Sequence, residues 1–297
     1  MHYTGPTYRP PYEASSLLLQ VTTGCSHNAC TFCSMYLDTP FAVSPREEIE
    51  ADLQEVRASG WEPTRVFLVN GDAFALDADK LVWVADAIHR HLPSVQSIGA
   101  YASVMNIRSK TDADLARLAA CGYSELNIGL ESGLDDVLAY MNKGYTVAEA
   151  LEAMARLHAA GIAFNVNIIN AAAGPERIAE HAAANAALVN AGRPTLIFVS
   201  PLHVDAGSRL EGLVAAGDFA ECTLGEYLDE EIAFLKGLEL ENCTFFGLHV
   251  SNPVPVLGEL PEDKERLVAE LERGKAQIPA YELDSHPYKG AEGRIYR

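Results

Sequence analysis

Short apolar runs alternate with longer amphipathic stretches along most of the chain. Leu17 to Val21, Arg65 to Asn70, Ser97 to Ala102, Glu125 to Leu130, Ala163 to Ile169 and Thr195 to Ser200 each read as a strand buried on both faces. Between them the periodicity turns helical. Ser44-Pro45-Arg46-Glu47 predicts an N-cap serine with proline at the first helical position, opening a helix to about Ser59 that Gly60 ends. Further helices are predicted from Asp77 to His91, from Thr111 to Gly122, from Thr146 to Ala160 with Gly161 as its stop, and from Pro175 to Ala191. Six repeats of strand and helix imply parallel strands joined by outer crossovers, as a barrel or an open doubly wound sheet. Beyond Leu202 the rhythm weakens. An acidic amphipathic helix from Gly225 to Leu238, an apolar strand-like segment from Cys243 to Val250, a charged helix from Pro261 to Arg273 and a surface tail to Arg297 are expected. This divides the chain into an extended arm at 1–14, a core at 15–240 and a C-terminal extension at 241–297 packed on that core.

Composition narrows the class. Of 297 residues, 48% are hydrophobic, ample for one sizeable core. No apolar run reaches the roughly 18 residues a membrane span needs, and the start lacks the basic and apolar regions of a signal peptide, so a cytoplasmic protein is expected. A formal charge of −19 repels polyphosphate backbones and argues against a nucleic-acid partner. Of six cysteines, Cys121, Cys222 and Cys243 are scattered and read as small buried hydrophobes. The other three gather in one loop, which points to a reducing compartment and a metal role.

That loop is Gly24-Cys25-Ser26-His27-Asn28-Ala29-Cys30-Thr31-Phe32-Cys33-Ser34-Met35-Tyr36. Cys25, Cys30 and Cys33 fit three corners of a [4Fe–4S] cubane, leaving one iron for a substrate or cofactor. A zinc site is the alternative, but it wants a fourth ligand, and His27 lies awkwardly between the first two thiolates. Inert thiols are the third reading. On the fifth strand Asn165 and Asn167 share one face, where buried polar groups are costly unless paired with a ligand, and Asn167 is expected to line a site.

The loop resembles that of the radical S-adenosylmethionine superfamily, Cys-x3-Cys-x-aromatic-Cys, with Phe32 at the aromatic position and one extra residue between the first two cysteines. Gly129-Leu130-Glu131-Ser132-Gly133, followed by Met141-Asn142-Lys143-Gly144, resembles the branch of the anaerobic coproporphyrinogen oxidases and elongator-type enzymes. The resemblance spans about residues 16 to 210. It implies an α/β fold, a partial (β/α)6 TIM-like barrel with a short C-terminal extension. It implies a [4Fe–4S] cluster on Cys25, Cys30 and Cys33, with S-adenosylmethionine cleaved to a 5′-deoxyadenosyl radical that takes hydrogen from a small-molecule or peptide substrate. A low-potential donor such as flavodoxin or ferredoxin would supply the electron.

The expected cofactor-binding residues are Phe32, Gly71, Asp72, Ser103, Glu131 and Asn167. Gly71-Asp72 stands where the family holds the methionine amino group. Ser103, or else Arg108, would reach its carboxylate, and Glu131 would accept from the ribose hydroxyls. A strand-end turn, a plain loop serine and an acidic helix start are the respective structural alternatives. His203 and His249 follow strands and could face substrate, though lone histidines are more often structural; Tyr36 reads as a radical relay or, more often for such a residue, as packing. Without a second cysteine group or a cobalamin domain, auxiliary-cluster and cobalamin chemistry are not expected. A non-catalytic iron–sulfur electron carrier and a zinc-stabilised binding module are the rival functions.

Overall fold

The computed structural model describes residues 1–286; the last part of the expected tail, 287–297, lies outside the described residues. In chain order the strands and helices are β1 (Leu17–Leu19), β2 (Thr22–Thr23), β3 (Ala42–Val43), α1 (Arg46–Ser59), β4 (Arg65–Leu68), α2 (Ala78–His91), β5 (Ser97–Ala102), α3 (Val104–Arg108), α4 (Asp112–Ala120), β6 (Tyr123–Glu131), α5 (Asp135–Tyr140), α6 (Val147–Ala160), β7 (Ala163–Asn170), α7 (Ile178–Gly192), β8 (Leu196–Pro201), α8 (Arg209–Ala216), α9 (Leu224–Gly237), β9 (Cys243–Gly247), β10 (Val256–Leu260), α10 (Lys264–Gln277) and α11 (Ala280–Leu283). Eight strands form a largely parallel sheet in the order β1-β4-β5-β6-β7-β8-β9-β10. The six strands expected from the apolar runs are all present, the strand-like segment expected from Cys243 to Val250 forms β9, and β10 adds to them.

The chain divides into two compact units. The first holds residues 1–28, 35–128 and 152–164. In it β1, β4, β5 and the first part of β6 are parallel, with Leu18 opposite Phe67 and Phe67 opposite Gly99. Leu19, Phe67, Leu68, Ile98 and Leu126 are fully buried, as are Leu53 of α1, Leu81 and Ile88 of α2 and Leu118 of α4. A small antiparallel hairpin pairs Thr22 with Val43. It corrects the expected start of α1: the Ser44 amide donates to Val21 O, so Ser44 prolongs the hairpin and Pro45 precedes the helix without a side-chain cap. The Thr111 cap of α4 forms as the sequence predicts, with Asp114.

The second unit holds residues 29–34, 129–151 and 165 onward. Here β7, β8 and β9 are parallel and β10 closes the edge antiparallel to β9. The Thr146–Glu149 capping box forms as read from the sequence. Helix α9 packs on α7 and α10. Its Tyr227, Leu228, Phe234 and Leu235 are fully buried, and so are Glu230 and Glu231.

Two buried charges yield predictions. In the first unit Glu13, 1% exposed, is held by Arg65, whose Nη2 also donates to Glu125 at 2.8 Å. Arg65→Ala strands that carboxylate and should cost about 3 kcal/mol in urea unfolding. Lys80→Ala, breaking an exposed pair with Asp77, should cost under about 1 kcal/mol; equal losses would contradict this. In the second unit burial, partly opposed by the Tyr227 hydroxyl, pushes the Glu231 carboxyl up to about 8. The native state therefore keeps a proton that the unfolded chain loses near its ordinary 4.5. This stabilisation is complete below that value and is lost as pH rises through about 8. Glu231→Gln should flatten the fall of the thermal midpoint between about pH 5 and 8; an unchanged slope would contradict it.

Candidate active site

In the first unit the end of β4 turns through Gly71 and Asp72. A Cβ at Gly71 would lie 2.5 Å from Gly24 O and 2.6 Å from the Cys25 Cβ, so only glycine fits beside the cysteine loop. Asp72 is buried and accepts from the Ser26 amide at 2.9 Å and from the Ser26 hydroxyl. Burial raises its carboxyl from the ordinary value, opposed by these bonds and by one from Asn106. Gly71-Asp72 thus fixes the backbone at Cys25 and Ser26. Asn28 takes a left-handed conformation (φ 38°), and its amide approaches Cys25 Sγ at 3.5 Å while its side chain donates to Tyr36 O at 3.0 Å. Tyr36 is buried edge-on to Tyr8, the packing role read from the sequence. Ser103 caps α3 in a reciprocal box with Asn106. A cleft of about 350 Å³ lined by Tyr12, Glu13, Arg65 and Glu125 opens where β4 begins, away from these strand ends.

In the second unit one short turn grips the rest of the loop. The Thr31 amide donates to Met141 O at 3.0 Å, its hydroxyl to Tyr140 O at 2.7 Å, and Asn142 Nδ2 to Ala29 O at 2.8 Å. The Leu210 amide donates to Thr31 O, and Ser34 Oγ to Asp205 at 3.0 Å. Phe32 packs on Val137, Met141, Ile169, Leu202 and Leu210.

The next residue of that turn, Lys143, donates to Glu131 Oε1 at 3.0 Å, and Asn167 donates to Glu131 Oε2 at 2.6 Å. All three polar side chains meet at the ends of β6 and β7. Lys143 is nearly enclosed; burial alone would lower its ammonium, but Glu131 outweighs burial and it lies above the usual lysine range. Glu131 has φ 70°, and a Cβ at Gly129 would come within 2.3 Å of its carboxylate. Tyr145 donates to Gly129 O and Leu130 O, both at 2.9 Å. Asn165 shares the strand face but bonds to Thr195 instead. His203 and His249 come together, rings 6.4 Å apart. Burial lowers both, His249 to about 4 with His203 adding to the effect.

The structure therefore joins Glu131 and Asn167 in one group, places Phe32 on the adjoining apolar cluster, and engages Asp72 and Ser103 with backbone partners. Lys143 and Tyr145 escaped the reading of the sequence; Lys143 stood in a quoted motif without a role. The six cysteines form no disulfide. Among the described residues no three His, Cys, Asp or Glu side chains gather as around one metal ion.

The largely parallel sheet of eight strands is that of the partial TIM-like barrel class. The model of the radical SAM superfamily matches residues 19–189, more than half of the chain, and the chain belongs to that superfamily. The superfamily's cofactors are a [4Fe–4S] cluster and S-adenosylmethionine. Three solved structures share the fold. Methylornithine synthase is 13% identical with a TM-score of 0.53, covering 86% of this chain and 68% of its own. Coproporphyrinogen III oxidase of Escherichia coli is 16% identical at 0.53, covering 74% and 52%. The Elp3 protein of Methanocaldococcus infernus is 12% identical at 0.52, covering 89% and 64%. The chain thus spans about half to two thirds of these proteins' lengths, and at such identities they show the fold alone. No curated protein matches it in sequence. Among the described residues no helix is long and apolar enough to cross a membrane.

Lys143→Met would leave the Glu131 carboxylate buried and short of its cation. It should cost about 3 kcal/mol in urea unfolding, and adding Glu131→Leu should restore at least half of that. A single-variant loss below about 1 kcal/mol would show that the pair is not coupled.

Proposed function

We propose that Cys25, Cys30 and Cys33 hold one [4Fe–4S] cluster and that Glu131 accepts hydrogen bonds from the ribose hydroxyls of S-adenosylmethionine. The observation that carries this is the turn from Tyr140 to Lys143. Its backbone and Asn142 hold Ala29 and Thr31 between the cysteines, and its Lys143 holds Glu131. Loop and carboxylate are thereby fixed to the same four residues.

The donor set fits the group. Each half-buried thiol can be a thiolate ligand. A tetrahedral zinc site wants a fourth protein ligand beside the three thiolates, whereas a cubane leaves its fourth iron open for a cofactor. Lys143 and Asn167 occupy one lone pair on each Glu131 oxygen, which leaves acceptor capacity for a vicinal diol. Gly71 and Asp72 serve the site by shaping the Cys25–Ser26 backbone, Asn167 by orienting Glu131, Ser103 by fixing the start of α3, and Phe32 by walling the second half of the loop. When bound, the two cofactors supply one-electron cleavage of the sulfonium and hydrogen abstraction from substrate. The substrate is a small molecule or short peptide, the electron donor a low-potential protein such as flavodoxin or ferredoxin, and the compartment the reducing cytoplasm. The charge of −19 sets nucleic acid aside as a main partner.

Anaerobically reconstituted protein should bind about four irons per chain and, with dithionite, convert S-adenosylmethionine to methionine and 5′-deoxyadenosine in equal amounts. Alanine at all three cysteines should abolish both. Stoichiometric zinc, or iron content untouched by that triple substitution, would overturn the proposal, and iron without cleavage would favour an electron carrier.

A further inference from the structure

Behind Glu131 lies a hydrogen-bonded chain that the proposed chemistry does not use. Ser132 Oγ meets His181 Nε2 at 2.8 Å, and His181 Nδ1 meets Glu230 Oε1 at 2.7 Å. The same Glu230 oxygen accepts from the Ala171 amide at 3.0 Å. Ser132, His181 and Glu230 are each fully buried. The order is that of a nucleophile, base and acid, but no substrate could reach it, so its work is mechanical.

Both ends of the chain adjoin strained backbone. Glu131, just before Ser132, has φ 70°, and Ala171, just past β7, has φ 67°. Non-glycine residues hold this conformation only where their surroundings over-determine it. Ser132 Oγ also accepts from the Leu134 amide at 3.1 Å, and Asn185, one turn after His181 on α7, accepts from the Gly133 amide at 2.6 Å. Gly133 is required for that approach, since a Cβ there would lie 2.3 Å from Ala184 O.

We propose that Ser132, His181 and Glu230 are positioning residues: the relay locks the ends of β6 and β7 in left-handed conformations and so aims the Glu131 carboxylate. This rests on the reading of Glu131 as a cofactor ligand. Glu230→Gln keeps a carbonyl acceptor for Ala171 and His181, and its amide nitrogen takes the place of Oε2, which has no hydrogen-bond partner. Glu230→Leu removes the link.

The test measures S-adenosylmethionine affinity of the reconstituted protein by calorimetry, and amide hydrogen exchange over residues 129–134 and 170–173 without cofactors. Glu230→Leu should weaken binding about tenfold and speed exchange in both segments, with iron content retained; Glu230→Gln should stay within about twofold on both. Ser132→Ala, cutting the other end, should act in the same direction should Glu230→Leu not fold. Leu271→Ala, a buried deletion in α10, should lower the thermal midpoint without changing affinity. Wild-type affinity in Glu230→Leu, or equal weakening in Leu271→Ala, would overturn the relay. If Glu131→Ala also binds normally, the ligand reading falls with it; if Glu131→Ala binds weakly, the relay alone falls.

Discussion

The ion pair between Lys143 and Glu131 is the constraint on which the second unit's site depends. Both side chains are nearly enclosed, and a buried pair repays its desolvation only with good geometry and further hydrogen bonds. Asn167 supplies one such bond and the backbone clamp by Tyr145 steadies the strand end. Hydrophobic pairs of the same volume often stabilise a fold as well or better. Charge retained at such a place makes sense when it holds a carboxylate ready for donors that arrive with a ligand.

From that pair the two motif segments explain each other. In Gly129-Leu130-Glu131-Ser132-Gly133, the first glycine clears space for the carboxylate, the serine enters the buried relay and the second glycine lets α7 approach. In Met141-Asn142-Lys143-Gly144, the first two residues carry the cysteine loop and the third carries Glu131. A rearrangement of either segment would reach the loop through hydrogen bonds already in place. In the first unit Gly71 and Asp72 do the equivalent for Cys25 and Ser26.

The strands were legible because each is a run of apolar residues long enough to be buried on both faces, and the helix stops because glycine marked them. What escaped was decided by tertiary partners. Ser44 has every local feature of a helix cap, yet the hairpin takes its amide. Asp72 reads as a strand-end carboxylate open to a ligand, yet Ser26 lies against it. Asn165 and Asn167 are equivalent by period, and only their neighbours, Thr195 and Glu131, separate them. His181 and Asn185 stand four apart in an alanine-rich helix, and Glu230 in an acidic one. That spacing signals a polar stripe but not what the stripe meets.

Electron paramagnetic resonance of the reduced, anaerobically reconstituted protein, before and after adding S-adenosylmethionine, tests the central claim most directly. A cluster on Cys25, Cys30 and Cys33 with one open iron predicts a [4Fe–4S]⁺ signal whose g-values shift when S-adenosylmethionine is added. A signal that does not move, or a protein that holds no paramagnetic cluster on reduction, would contradict it.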